Sequence, residues 1–579
     1  MRFLILFLLL TALAVLSGCN GSRAERKKAA EDFARFVDAH FHAYFEWRPS
    51  AATEAGVHEY DAKLEDYSAG AIRARIAVLS QELLNLNALR RRPLARQDEI
   101  DAVFLDGGLR SELLDLETLR LLHRNPMPYV AVPGGAVDAL IKRDFAPPAE
   151  RLRSVIARLR GVPPLLDAMR DNVQDPPKEF TELAIRSAEG SVGFFGDSVR
   201  SWGMQAAGDD AALRRELDDA ATRAAEAMSR AAGWLKEELL PRSRGGYAIG
   251  GGAFSRKLLY DELLDIPLGR LLAIGEANLE KDRQAFLETA RHIAPGRPPL
   301  EVMRMISEDH PTEASLLDDT RRDLESIRQF LVDRKIVAIP SQVRPIVAAT
   351  PPYARTGAFA MMDTPGAFET KATEAYYYVT PPEKDWPPVR KNEHLRLFNR
   401  PVMRMISIHE AWPGHYLQFL YSREFPTKTR KLLFCSTNVE GWAHYAEQMM
   451  LEEGFGGGDP KTRLAQLSEA LLRDCRFVAG IRMHTQGMDV ETAARIFMEQ
   501  GFCERTVALE EARRGTYDPT YLVYTLGKLM IVKMREDYRR HKGAAFSLQE
   551  FHNAFVRQGG LPIPLMRQLL LPGDASPLL

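Results

Sequence analysis

The chain is poor in cysteine: four in 579 residues, one of them at position 19. The other three, Cys435, Cys475 and Cys503, exclude a disulfide framework and leave at most one bridge. Their expected role is that of small buried apolar side chains. A surplus of one charge is also missing, since 77 Lys and Arg face 78 Asp and Glu, a net charge of −1. That balance removes the electrostatic reason to expect nucleic acid or an anionic membrane as the main partner. There is no repeat of the length that builds solenoids and no long low-complexity segment. The single glycine-rich stretch, Arg242–Gly252 (RSRGGYAIGGG), lacks the GxxxxGK[ST] spacing that cradles phosphates. Its glycines instead suit backbone that approaches a core or a cleft. What remains, 45% hydrophobic and 27% charged residues, is the composition of a globular protein long enough for one large core.

Long hydrophobic runs are absent except at the start. Met1–Arg2 precede an apolar run, Phe3–Leu16, too short for a comfortable transmembrane helix. It ends Leu16-Ser17-Gly18-Cys19, which resembles the lipobox of bacterial lipoproteins. The resemblance implies a signal peptide over residues 1–18 and a lipidated Cys19. Residues 19–30 are expected to form a polar tether and residues 31–579 one catalytic domain. Asn20 follows in place of Asp, which in a Gram-negative cell implies the periplasmic face of the outer membrane. Lipid would then be the only contact with the membrane.

Beyond the tether, apolar residues recur at spacings of three and four. They predict helices at 24–47, 70–90, 97–123, 148–172, 179–203, 210–239, 267–292, 311–334, 489–502 and 519–540. Arginine-rich stretches at 90–96 and 151–160 read as solvated helix faces. His40 and His42, two residues apart, do not share a helix face and are not expected to bind a metal. Between Lys335 and Pro382 the pattern changes to short β-prone runs at 336–339, 343–349 and 375–379, punctuated by proline. The expected fold is therefore mainly α: one large helical catalytic domain with a small β-sheet beside its active-site cleft.

The chemistry is concentrated in Ile408–Gln418 (IHEAWPGHYLQ) and Asn438–Glu447 (NVEGWAHYAE). In a regular HExxH helix the two histidines lie four residues apart, about 40° around the axis, and meet one metal. His409 and His415 are six apart, which on an unbroken helix leaves about 120° between them. Pro413-Gly414 lies between them. A proline distorts the preceding turn and a glycine tolerates unusual dihedrals, so the pair is expected to make a bulge that returns His415 to the side of His409. Glu440 follows 25 residues after His415, enough for an antiparallel helix to come back. Two histidines and a carboxylate suit a hydrolytic Zn2+, one per chain, with a position left for water. Glu440 is thus the expected third ligand, Glu410 the general base, and His444 a residue that orients a ligand or contacts substrate. The exchanged assignment, His444 as ligand and Glu440 behind it, stays open.

HEAWPGHYLQ and VEGWAHYAEQM resemble the two signature motifs of the DUF885 family. GGYAIGGGAFSRKLL, EAYYYVTPP and DPTYLVYTLGK are similar to further segments of that family, in the same order. The family in turn resembles gluzincin metallopeptidases, including the helical carboxypeptidases, whose third ligand is a glutamate on the following helix. The resemblance implies His409, His415 and Glu440 as ligands and Glu410 as base. Through the same motifs it implies Tyr524 as donor to the tetrahedral oxyanion, with Tyr521 and the Tyr376–Tyr378 group, Tyr377 included, as alternatives. Arg513 and Arg514, or Arg355, would hold a substrate carboxylate if cleavage occurs at peptide C-termini. The expected function is hydrolysis of short peptides in the cell envelope, of carboxypeptidase or dipeptidase type. The alternatives are a zinc hydrolase of a non-peptide amide and a non-catalytic lipoprotein that keeps the pocket for binding.

Overall fold

In the Arg2–Trp47 helix the residues Ala29, Phe33, Val37, Phe41 and Phe45 fall on one stripe and are buried together. The computed structural model describes residues 2–351, 355 and 360–579, with side chains from residue 23 onward. The expected lipidation site, Cys19, and the side chains of the expected signal segment lie outside those described. The 19–30 stretch, expected as a tether, continues the helix; Arg23–Glu31 consists of Ala, Glu, Lys and Arg, all strong helix formers.

The helices Ala69–Leu89, Arg96–Leu113, Pro148–Asn172, Lys178–Gly193 and Ala211–Trp234 follow the predicted periodicity. Ser68 and Asp210 cap two of them by accepting the orphan N–H groups of the first turn. Three of the predicted helices are not continuous. Each runs into a π-turn, at Leu114–Thr118, Phe194–Val199 and Leu235–Leu239. The first ends for good where Arg120 adopts a left-handed φ of 50°. These helices pack around an apolar core drawn almost wholly from residues 29–239.

The rest of the chain builds a second and larger core from helices that include Leu268–Ile293, Leu316–Arg334, Arg400–Glu410, Ser436–Glu452, Pro460–Thr485 and Val523–Lys542. Its sheet has the order β1 (Ile346–Ala349), β3 (Tyr376–Val379), β2 (Ala360–Asp363), with β1 parallel and β2 antiparallel to β3. The predicted strand at 336–339 does not form. Side chains satisfy its backbone instead: His552 and Tyr421 bond to the carbonyls of Ile336 and Ala338, and Asn553 accepts from the Ala338 N–H. The strand at β2 was not predicted, because four residues of mixed polarity carry no usable alternation. With 71% helix and this one sheet, the chain is mainly α. Among the described residues, no helix is long and apolar enough to cross a membrane. The Arg430 guanidinium, fully buried, spans the two cores by donating to Asp101, Gln558 and Gln97.

Candidate metal centre

The Arg400–Glu410 helix starts on Asn399, whose side chain accepts from the Val402 N–H, and has Pro401 in its first turn. Met405 and Ile408 face the core, and His409 and Glu410 stand in the final turn of the helix. The helix then ends outright, where the sequence suggested a bulge. The N–H groups of Ala411 and Trp412 both bond to the Ser407 carbonyl, the Gly414 N–H bonds to Ile408, and a separate helix begins at His415. The Trp412–Pro413 peptide is cis. A side chain at 414 would place its Cβ 1.7 Å from the His409 carbonyl oxygen, so only glycine fits there. The Trp442 indole N–H donates to the Pro413 carbonyl at 2.8 Å, pinning the break to the helix that carries Glu440. The outcome is the predicted meeting: the rings of His409 and His415 lie 4.8 Å apart and nearly perpendicular.

Glu440 Oε2 lies 3.3 Å from His409 Nε2 and 3.5 Å from His415 Nε2. That oxygen is shielded from solvent and makes no directed hydrogen bond. Three donor atoms thus converge without satisfying one another. Ligands of a tetrahedral ion with bonds of about 2.1 Å sit about 3.4 Å apart, so the spacing fits a zinc-sized cation. Burial opposes the charge on Glu440, but His415 and His409 outweigh it and hold the carboxyl well below the usual carboxylate range. Burial likewise opposes protonation of His409, yet the Glu440 carboxylate beside it and its bond to Glu447 raise the imidazole to about 9. The site therefore attracts positive charge. Donor atoms of His409, Glu410 and His415 also lie within 4.8 Å of one another. Glu440 makes the shorter contacts to both rings, whereas Glu410 Oε2 accepts the Met362 N–H of β2 at 3.1 Å.

Glu447 is a further residue of the centre, one that the motifs did not single out. Its Oε1 accepts from His409 Nδ1 at 2.7 Å, and its Oε2 lies 3.2 Å from His444 Nδ1. Arg473 Nη2 reaches Oε1 at 3.3 Å. A carboxylate on Nδ1 fixes the ring and turns the Nε2 lone pair toward Glu440 and His415. Glu447 falls seven residues after Glu440, two helical turns along the same face, and that spacing was the available signal. His444 stands on Glu447, whereas Glu440 is the one of the two that faces both rings. Burial, then Lys528, depress His444 to about 3, so it is neutral at pH 7.

The helices carrying Glu440 and Tyr524 touch backbone to backbone at Gly441 and Gly527, where an added Cβ would fall within 2.5 Å of the opposite chain. This brings the Tyr524 ring over His409, with centroids 6.4 Å apart. The other predicted residues do not gather at the site. Tyr377 is fully buried and bonds to Ser407 beneath the first-histidine helix, so it lines no cleft; Tyr376 and Tyr378 stack on the opposite face of β3. Tyr521 is buried against Gly480 and Gly515. Arg513 is exposed and pairs with Glu510, and Arg355 is tied to Glu383 and the Thr350 carbonyl. Of the three predicted arginines, Arg514 is the one that reaches the site, through Tyr524. His40 bonds to Glu82 and His42 to Tyr60.

A chain from Shewanella oneidensis, of unknown function and provisionally described as a lipoprotein, superposes with a TM-score of 0.77 at 26% identity. The match covers 93% of this chain and 99% of that one. A second, from Colwellia psychrerythraea and also provisionally described as a lipoprotein, shares the fold at 16% identity. Its TM-score is 0.79, over 94% of this chain and 98% of that one. No curated protein matches significantly. Residues 49–570 match the family model DUF885, bacterial protein of unknown function, and this stretch contains every residue of the centre. The chain belongs to the DUF885 family.

Proposed function

We propose that the chain is a zinc-dependent hydrolase of the gluzincin metallopeptidase kind, acting on short peptides at the cell envelope, where a lipid on Cys19 anchors it. The observation that carries this reading is the convergence of His409 Nε2, His415 Nε2 and Glu440 Oε2 beside a separate carboxylate, Glu410. A purely structural metal site has no use for that fourth group. His409, His415 and Glu440 would hold one ion per chain. Zinc bound there supplies Lewis acidity, which polarises a scissile carbonyl and lowers the pKa of water.

The chain's own residues do the rest. Glu410 accepts the proton of the attacking water and passes it to the departing nitrogen, which leaves as a neutral amine. The Met362 N–H holds one Glu410 oxygen and leaves the other for that transfer. Glu447 keeps His409 in the tautomer whose Nε2 is a donor atom. Tyr524, beside His409, donates to the oxyanion that develops as the carbonyl is attacked. A peptide is favoured over other amides because β2 is an edge strand whose Met362 N–H points at Glu410, and an edge of this kind suits an extended backbone.

Metal analysis followed by digestion of a peptide library tests the reading. Wild type should carry about one zinc. Glu410→Gln should keep the metal and lose about 10²–10⁴-fold in hydrolysis. Full activity in that variant removes Glu410 as base. Metal without any Glu410-dependent cleavage leaves a binding lipoprotein.

A further inference from the structure

We infer that Arg514 is a positioning residue that aims the Tyr524 hydroxyl proton into the metal centre, an assignment that rests on the hydrolase reading just given. Arg514 Nη2 donates to Tyr524 Oη at 3.1 Å. The same guanidinium is clamped by Asp518, with Nε and Nη2 at 3.2 and 3.0 Å from one carboxylate oxygen. A guanidinium has donors and no acceptor. The bond therefore occupies a lone pair on Oη, and the phenolic proton cannot return to the arginine. No other hydrogen bond to that hydroxyl exists among the described residues, so the proton is left for an acceptor in the cleft.

The ring itself lies among charged groups that are held by their own partners. One face looks onto His409, and the guanidinium of Arg476 sits 5.0 Å from the centroid, itself held by both oxygens of Glu511. Arg473, tied to Glu447, is 5.8 Å from the same ring. A cationic donor on Oη also draws electron density from the phenol, making its O–H a better donor to a developing oxyanion. Arg513, one residue earlier, is the internal control: it points outward to Glu510 and touches nothing in the centre. Arg514 thus acts through Tyr524, in contrast to a clamp on the substrate carboxylate, which the sequence alone allowed.

The two roles separate by kinetics on the library peptide that wild type cleaves fastest, made with a free C-terminal acid and as the C-terminal amide. Arg514→Ala should lower kcat about 10- to 100-fold on both forms and leave KM within about twofold. Arg514→Lys should recover part of the loss, and in a Tyr524→Phe background Arg514→Ala should cost nothing further. A rise in KM confined to the free acid, or full additivity with Tyr524→Phe, overturns the inference. A second readout needs neither zinc nor turnover. In metal-free protein labelled with [13Cζ]tyrosine, the resonance that disappears in Tyr524→Phe should move in Arg514→Ala and stay in place in Arg513→Ala. If it does not move, the inference fails even in an active hydrolase. If it moves while wild type shows no Glu410-dependent cleavage, the hydrolase reading fails, and the pair is left as a structural hydrogen bond.

Discussion

Two buried polar clusters, one around Arg430 and one around Glu440, are finished differently. Around Arg430, Asp101 takes Nε, Gln558 takes Nη1 and Gln97 takes Nη2, so each guanidinium nitrogen has its own partner. Around Glu440, two imidazole nitrogens point at one oxygen that makes no directed hydrogen bond, and His415 Nδ1 has no partner either. Buried polar groups are costly unless paired, so a closed cluster holds structure while an open one is kept for something that completes it. The same contrast appears within one helix. Glu447 is fully satisfied by His409, His444 and Arg473, and Glu440, seven residues earlier, is the carboxylate left open.

The largest expected effect breaks the open cluster alone. His409→Ala and Glu440→Ala should each abolish zinc retention, measured by elemental analysis after dialysis, while the helical circular dichroism persists. Unchanged metal content in both variants would sink the ligand assignment. Removing the partner in the closed cluster should do the reverse. Asp101→Ala leaves Arg430 charged and unpaired in the core, so denaturant unfolding should show a loss of about 3–5 kcal/mol with metal stoichiometry intact. If Asp101→Ala also lost the metal, the two clusters would not be independent.

A smaller effect sharpens the comparison inside the Ser436–Glu452 helix. Glu447→Gln keeps the shape but weakens the hold on His409 Nδ1, and zinc affinity by chelator competition should fall about 10- to 100-fold without vanishing. The smallest effect is the pH dependence. Burial disfavours the charged imidazole of His409, but Glu440 and Glu447 outweigh it and lift the group to about 9, so in metal-free protein it carries a proton through neutrality. An incoming ion must displace that proton. Affinity should therefore weaken about tenfold for each unit of pH below about 9, with about one proton released per ion at pH 7 in calorimetry across buffers of differing ionisation enthalpy. For folding the sign is opposite: the stability His409 lends metal-free protein is complete below its unfolded pKa of about 6.5 and is lost as pH rises through about 9.

Much of this site could be read from the chain because its residues are local and periodic. His409 with Glu410 is an adjacent pair readable as it stands, Glu440 with His444 has the i,i+4 spacing that predicts a shared face, and Pro413-Gly414 marked the place where regular geometry had to fail. The manner of failure was not readable. A bulge and a clean break satisfy the same spacing, and the break follows from contacts made elsewhere, the Trp442 indole on Pro413 and the lack of room for a Cβ against His409. The aromatic run Tyr376–Tyr378 misled for a related reason: alternation on a strand says which rings share a face, but not which face meets the helix, and Tyr377 went under Ser407. Ile336–Ile339 reads as a strand from composition, yet its hydrogen bonds go to distant side chains.

The sequence by itself determined the helical class, the bounds of several long helices and which side chains are candidate donors, because these depend on periodicity and on side-chain chemistry within a few turns. Only the tertiary structure decided that Glu440 and not His444 faces the rings, that Glu447 orients His409, and that Arg514 belongs to Tyr524. Those choices are made by helices meeting across hundreds of residues, where packing sets which side chain points into the shared space.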